Sequence, residues 1–366
     1  MNSSPLPAEV HCAQDYERLA QQQLPAPVLA HIAGGSGQEL TLAANTGAFA
    51  AWSVRPRLLR DVSAGHLRVR LQGREWPAPL LLAPVALQKL AHPEGELATA
   101  RAAAATGCCL VASTMASCTL EEIARVAGPG HWFQLYVQPR RQHTAELVRR
   151  AEQAGYAAIV VTLDAPVQPV SLRALRSGFR VPADCEAANL HGHAPPPQAT
   201  LPPGSDRILN GLMRGAPTWD ELAWLRAQTT LPVWVKGVMH PEDARQLMAA
   251  GIAGVVVSNH GGRALDGASA SLDALPDIRR AVAPDYPLLF DGGIRSGSDV
   301  LKALALGADA VLIGRLQIYA LAVAGALGVA HLLRLLSEEL AVGMALAGCA
   351  TLADIRQATL QRGGQC

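Results

Sequence analysis

Pro287-Leu288-Leu289-Phe290-Asp291-Gly292-Gly293-Ile294-Arg295-Ser296-Gly297 and, further on, Ala310-Val311-Leu312-Ile313-Gly314-Arg315 share one design. Each is a short apolar run that ends in glycine and a charged group, and the segment between them carries helical spacing up to Gly307. Continuous apolar runs of this length, flanked by turn residues, read as strands buried on both faces of a parallel sheet. Working outward, the same unit recurs at Ala78–Ala83, Cys108–Ala112, Trp132–Val137, Ala157–Val161, Pro232–Val235 and Gly254–Val257. Helix starts fall between them. Thr119-Leu120-Glu121-Glu122 and Thr218-Trp219-Asp220-Glu221 fit the capping box, and Pro241 opens another helix. Glycines at Gly107, Gly155, Gly251 and Gly307 mark helix ends before the next strand. Eight alternating strand–helix units predict an α/β fold, a closed (β/α)8 TIM barrel.

The barrel accounts for most of the 366 residues, so one domain spanning 1–366 is expected. About 1–75 would form an N-terminal helical cap. About 165–217 would form a long lid loop after the fourth strand, rich in proline at Ala194-Pro195-Pro196-Pro197 and Leu201-Pro202-Pro203-Gly204. Apolar residues make up 50% and charged residues 17%, enough for a large core. A net charge of +1 with no basic stripe argues against a nucleic-acid partner. Leu316–Val329 is apolar but too short to span a bilayer, and Gly325 and Gly328 interrupt it, so no membrane association is expected. The N-terminus lacks the layout of a signal peptide, which points to a cytoplasmic protein. Seven scattered cysteines without paired spacing suggest neither a disulfide framework nor a metal site.

In such barrels the reactive groups gather at the carboxyl ends of the strands. Those ends carry Pro84-Val85-Ala86-Leu87-Gln88, Ser113, Gln134 with Tyr136, and Thr162 with Asp164. The second half adds Lys236, the segment Ser258-Asn259-His260-Gly261-Gly262-Arg263, then Asp291 to Arg295, and Gly314-Arg315. The glycines after His260 permit a sharp turn and close approach of a ligand. The imidazole can move a proton near neutral pH, and three residues on a guanidinium offers a planar fork for a carboxylate. Together they describe a base beside an anion clamp. The glycine-containing turns after strands seven and eight, with Arg295 and Arg315, fit a phosphate site. With Lys236 on the same rim, they suggest a bound cofactor spanning the barrel mouth.

These stretches resemble the FMN-dependent L-2-hydroxy acid oxidase/dehydrogenase family, which includes glycolate oxidase, lactate oxidase and the mandelate-oxidising enzymes. The likeness rests on Ala83 to Gly95, Trp132-Phe133-Gln134-Leu135-Tyr136, Ser258 to Asp266, and Asp291 to Arg295 continuing through Lys302 to Ala308. It implies an enzyme that oxidises an L-2-hydroxy acid to the 2-oxo acid, with oxygen or another electron acceptor restoring the FMN. By resemblance His260 would be the base, Asp164 its orienting carboxylate, Tyr136 a hydrogen-bond partner of the substrate oxygen, and Arg263 the carboxylate clamp. Lys236 would lie beside the flavin. Pro84, Val85, Ala86, Ser113, Gln134, Thr162 and Ser258 would contact the ring and ribityl chain, and Asp291, Gly293, Arg295, Gly314 and Arg315 the ribityl–phosphate end. A homo-oligomer, a tetramer, is also implied.

Three departures bear on the substrate. His31 stands where many relatives have a substrate-binding tyrosine, and Met115 where glycolate-oxidising enzymes have tryptophan. The segment Val167-Gln168-Pro169-Val170-Ser171-Leu172-Arg173 lacks the usual glycine–arginine pattern, so the second carboxylate-binding arginine is missing or displaced to Arg173 or Arg176. A substrate other than glycolate is expected. Two rival readings are an FMN barrel acting on an amine-bearing or otherwise atypical acid, and a catalytically idle barrel serving as a binding scaffold.

Overall fold

All eight expected strands form, and they close. The computed structural model describes residues 6–193, 201, 204–358 and 360–363; the proline runs at 194–197 and 202–203, and Cys366, lie outside them. The barrel strands are β1 (Leu80–Leu82), β2 (Cys109–Ser113), β3 (Trp132–Leu135), β4 (Ala158–Thr162), β5 (Val233–Val238), β6 (Gly254–Val257), β7 (Leu288–Asp291) and β8 (Ala310–Ile313). Every neighbouring pair is parallel, and β8 returns to β1 with Val311 opposite Leu80 and Ile313 opposite Leu82.

Side chains alternate in and out along each strand. Leu81, Val111, Trp132, Val160, Trp234, Val256, Leu289 and Leu312 fill the barrel, with the Trp132 and Trp234 rings 4.8 Å apart. Leu82, Leu110, Phe133, Val161, Val235, Val257, Phe290 and Ile313 point outward into the larger core beneath the helices. That double burial is why the strands read as unbroken apolar runs.

Among the described residues the cap holds three α-helices, α1 (Ala13–Gln23), α2 (Ala26–Ala33) and α3 (Leu40–Gly47). It is not wholly helical. Trp52–Val54 pairs antiparallel with Leu360–Arg362, and a hairpin of Val69–Leu71 with Arg74–Trp76 joins the barrel-interior core. The described part of the expected lid loop contains a helix at Leu172–Arg176 and helical turns at Ala188–Leu190, Arg207–Gly211 and Leu212–Gly215. Gly37 in the cap bridges Ser171 in the lid.

Capping follows the sequence at one site of two. Thr119 Oγ1 accepts from Glu122 N at 3.2 Å while Glu122 Oε2 accepts from Thr119 N at 2.9 Å. Thr218 starts its helix without any side-chain cap bond. The apolar stretch after Arg315 is longer than its glycines suggested. Helix runs from Arg315 to Ala347, broken at Ala324 and Gly325 but not at Gly328. It is long and apolar enough to cross a membrane, yet most of it is buried in the protein.

Candidate active site

The inward parity of the strands carries over from the apolar barrel filling to a polar top layer. Two residues beyond Val111, Trp132, Val160, Trp234, Val256 and Leu289 stand Ser113, Gln134, Thr162, Lys236, Ser258 and Asp291. All six are buried. One parity thus makes both a packed barrel floor and a ring of hydrogen-bonding groups above it.

His260 follows β6 in an unusual backbone state. It has φ 60°, and Gly261 and Gly262 continue at 60° and 76°. For a non-glycine residue this left-handed region costs about 1–3 kcal/mol and persists only where the surroundings over-determine it. They do so here. Ser258 Oγ accepts from His260 N at 3.0 Å, Arg315 Nη1 donates to Gly261 O at 2.8 Å, and Ser36 N donates to Gly262 O at 2.9 Å. A Cβ on Gly262 would stand 2.6 Å from Leu42 Cα, so only glycine lets the cap close on this turn.

The turn aims the imidazole at two partners. His260 Nδ1 lies 2.7 Å from Asp164 Oδ1, and Nε2 lies 3.4 Å from the Tyr136 hydroxyl. Burial raises the pKa of that hydroxyl, with the neighbouring Lys236 charge acting the other way. The Asp164 side chain is only 7% exposed. It fits because residue 237 is glycine: a Cβ there would come within 2.4 Å of Asp164 Cβ.

Lys236 is the buried cation of the rim. Its Nζ lies 2.8 Å from both Ser258 Oγ and Asp291 Oδ2, and Ser258 Oγ donates to Asp291 Oδ2 at 2.7 Å. Burial disfavours the charge on Lys236, but Asp291 and Asp164 outweigh it and hold the pKa above the ordinary lysine value. Burial likewise opposes the Asp291 carboxylate, and Lys236 reverses that, holding its pKa low. Ser258, expected at the ring, is engaged within the protein. Its hydroxyl is spent on Lys236, Asp291 and His260 N, and the residue does not line the cavity.

Positive charge concentrates across the mouth. Arg263 Nη1 donates to the carbonyls of His31 (2.8 Å) and Gly34 (3.0 Å), which fixes the guanidinium from one side. Arg315 donates to the carbonyls of Ile32, Gly34 and Gly261. Burial, then Arg263, pulls its pKa down to about 10. Arg295 pairs with Glu17 at 3.3 Å. Two guanidinium groups brought close without a carboxylate between them make a place where an anion is stabilised. Neither displaced-arginine candidate joins them: Arg173 is exposed and ion-paired with Glu39, Arg176 is exposed, and neither lines the cavity.

His31 stacks on Phe179 with ring centroids 4.1 Å apart and planes 10° from parallel. Burial and the Arg263 charge pull its pKa down to about 4, so it is neutral near pH 7. Phe179 was not foreseen as a site residue. It is the single Phe, Tyr or Trp between Asp164 and Thr218, a signal the sequence did carry. Gln138, also unforeseen, reaches the cavity and donates to Tyr136 O at 2.7 Å.

Most of these groups, Asp164 and Ser258 excepted, border one cavity of about 790 Å³ at the carboxyl end of the barrel. Its lining includes His31, Met115, Tyr136, His260 and Arg263, together with Gly293, Arg295, Gly314 and Arg315, and Arg263 and Arg315 meet at the Gly34 carbonyl. Pro84, Val85, Ala86, Ser113, Gln134, Thr162, Lys236 and Asp291 line it as well. The donor set fits FMN. Gln134 Nε2 and Thr162 Oγ1 are buried without a partner, which is costly unless a ligand supplies one. A flavin ring edge offers such acceptors and donors, and the Arg315 helix start with its flanking glycine suits a phosphate.

Comparison with known proteins agrees. The model of the family described as FMN-dependent dehydrogenase matches residues 20–362. An L-lactate oxidase of Alicycliphilus denitrificans is 63% identical over 358 residues, covering 98% of each chain. A 4-hydroxymandelate oxidase of Amycolatopsis orientalis is 46% identical over 351 residues, covering 95% of this chain and 98% of that one. The solved structure of a mandelate oxidase with benzoyl-formic acid superposes with a TM-score of 0.89 at 44% identity, covering 97% of this chain and 99% of the other. The chain belongs to the FMN-dependent dehydrogenase family.

Proposed function

We propose that this enzyme oxidises an L-2-hydroxy acid with an apolar side chain to the 2-oxo acid, with His260 as its base. The observation that carries the reading is the His260 imidazole held by Asp164 at 2.7 Å, facing the same cavity as Arg263 and Tyr136. FMN, when bound, accepts the two electrons and the hydrogen that leave the substrate α-carbon.

The protein's own groups do the rest. Asp164 keeps the proton on Nδ1, which leaves Nε2 free to take the substrate hydroxyl proton, and then stabilises the imidazolium that results. With Nη1 occupied by backbone carbonyls, Arg263 presents its remaining donors to the carboxylate. Tyr136 steadies the reacting oxygen. Lys236, its charge secured by Asp291, offsets negative charge that builds on the cofactor side of the cavity. Cavity residues Gln134, Thr162, Pro84 to Ala86 and Ser113 would border the ring, and Asp291, Gly293, Arg295, Gly314 and Arg315 the ribityl–phosphate end.

Met115, Phe179 and Leu190 border the cavity and favour an apolar substituent on the α-carbon over the bare hydrogens of glycolate. The similar proteins named as L-lactate and mandelate oxidases support that range and support oxygen as the acceptor. Anaerobic mixing with glycolate, lactate and mandelate, followed by oxygen, tests both points. Preferred bleaching by glycolate would reject the side-chain preference, and slow recovery in oxygen would reject the acceptor.

We further infer a cytoplasmic homo-oligomer, a tetramer. Leu40 and Leu265 are 62% and 71% exposed beside the Asp266 contact between cap and catalytic turn, an apolar surface suited to self-association. The free buried thiols of Cys108 and Cys109 fit a reducing compartment. Light scattering on a sizing column and cell fractionation test these statements; a monomer or a secreted protein would reject them.

A further inference from the structure

We propose that Asn45, on cap helix α3, is a positioning residue for His260, acting through a reciprocal carboxamide pair with Asn259. The inference rests on His260 being the base. Asn45 Nδ2 donates to Asn259 Oδ1 and Asn259 Nδ2 donates to Asn45 Oδ1, both at 2.8 Å. The two residues are 2% and 3% exposed, and 214 residues of chain separate them.

The surrounding bonds leave Asn259 no alternative orientation. Its second Nδ2 hydrogen goes to Ser269 O at 3.0 Å, and its Oδ1 also accepts from Gly262 N at 3.1 Å. Both donors and both acceptor sites of the amide are used. Asn45 Oδ1 in turn accepts from Ser271 N at 3.1 Å. Buried amides bonded in this way hold one another rigidly, and one missing member leaves the others unpaired at low dielectric.

Asn259 directly precedes the residue with φ 60°. Its Oδ1 holds Gly262 N, so the side chain spans the turn on which the His260 imidazole is mounted. Without Asn45 the amide keeps Ser269 and Gly262 but loses the two bonds that fix its plane. The strained turn then has a lower barrier to relaxation, and the imidazole moves relative to Asp164. A shift of about 1 Å in a reacting group is enough to lower a rate on the order of a hundredfold. Asn45 makes no hydrogen bond to a cavity-lining side chain, and only its backbone abuts Gly293, which a side-chain substitution leaves in place, so the effect on His260 would pass through the turn.

Asn45→Asp is the sharpest test. The carboxylate still accepts from Asn259 Nδ2 and Ser271 N, but it sets an oxygen against Asn259 Oδ1. Two measurements on the purified holoenzyme read the outcome: the downfield proton resonance of the His260 Nδ1–H···Asp164 bond, and the rate of anaerobic flavin reduction by saturating L-lactate per bound FMN. The expected result is a shifted or exchange-broadened resonance and a reduction rate lower by on the order of ten- to a hundredfold, with substrate affinity held within about threefold. If Asn45→Asp does not accumulate as holoenzyme, Asn45→Ser, which is smaller and uncharged, is read the same way. A wild-type resonance in the remaining holoenzyme overturns the proposal, whatever the activity. An altered resonance with an unchanged rate would instead uphold the positioning and remove His260 from the reaction.

Discussion

Asp164 Cβ occupies the space that a side chain on residue 237 would need. The approach that Gly237 permits, 2.4 Å to an added Cβ, is what brings Asp164 Oδ1 to 2.7 Å from His260 Nδ1. The residue after the buried lysine of β5 thus sets the geometry of a pair reaching across from β4 to β6. Gly237→Ala is expected to be damaging on two counts, because position 237 also has φ 103°. Loss of about 1–4 kcal/mol in urea unfolding is predicted, with a slower reduction of bound flavin. An alanine variant as stable and as fast as the parent would contradict this.

Asp164→Asn keeps the shape but can donate to Nδ1, which favours the tautomer with its proton on Nε2. The base would then face the substrate already protonated. Rapid-mixing kinetics should show flavin reduction slowed by roughly 100- to 10,000-fold, with FMN retained. A fall below tenfold would argue that Asp164 only packs against the imidazole.

Lys236→Met leaves Asp291 buried without its cation. A cost of about 3–5 kcal/mol in unfolding free energy is expected, with weakened FMN retention. The pH sign follows from the shifts. Asp291, held low in the fold, adds stability above the ordinary aspartate pKa of about 3.9 and loses it as pH falls through its lower folded value. Lys236, held high, adds stability below about 10.4 and loses it as pH rises through its higher folded value. In the variant, burial without the cation raises the Asp291 pKa, so the difference between parent and variant should shrink as pH falls, beginning above the ordinary aspartate pKa. Denaturant titrations from acid to neutral pH check this; a difference that does not change with pH would show that the pair is not coupled.

His31 offers a separate acid-side test. Its folded pKa of about 4 lies below the usual 6.5, so its contribution to stability is complete above the usual value and lost as pH falls toward 4. His31→Phe should keep the stack on Phe179 and remove that loss, raising stability near pH 4 relative to the parent by up to ~3 kcal/mol. Parallel acid-denaturation curves for the two proteins would show that His31 does not titrate this way.

The barrel was legible because each strand is buried on both faces and leaves an unbroken apolar signature. The rim was legible for the same reason: Lys236, Asp291 and Gly314 follow such runs directly. Ser258 also follows one and shares that inward parity, yet its hydroxyl is taken up by Lys236, Asp291 and His260 N, partners that local sequence does not show. Arg173 could not be excluded as a substrate clamp from local sequence, since its partner Glu39 lies 134 residues away. Likewise, Gly325 breaks the long final helix while Gly328 does not, although both carry the same local signal. The Asn45–Asn259 pair joins residues 214 apart and has no local pattern.

The most direct test of the account is anaerobic flavin reduction in the parent and in His260→Ala, each loaded with FMN. L-Lactate or L-mandelate should bleach the parent rapidly, while His260→Ala should keep its FMN and bleach slower by at least roughly a hundredfold. Rapid bleaching of the alanine variant, or no bleaching of the parent by any 2-hydroxy acid, would contradict it.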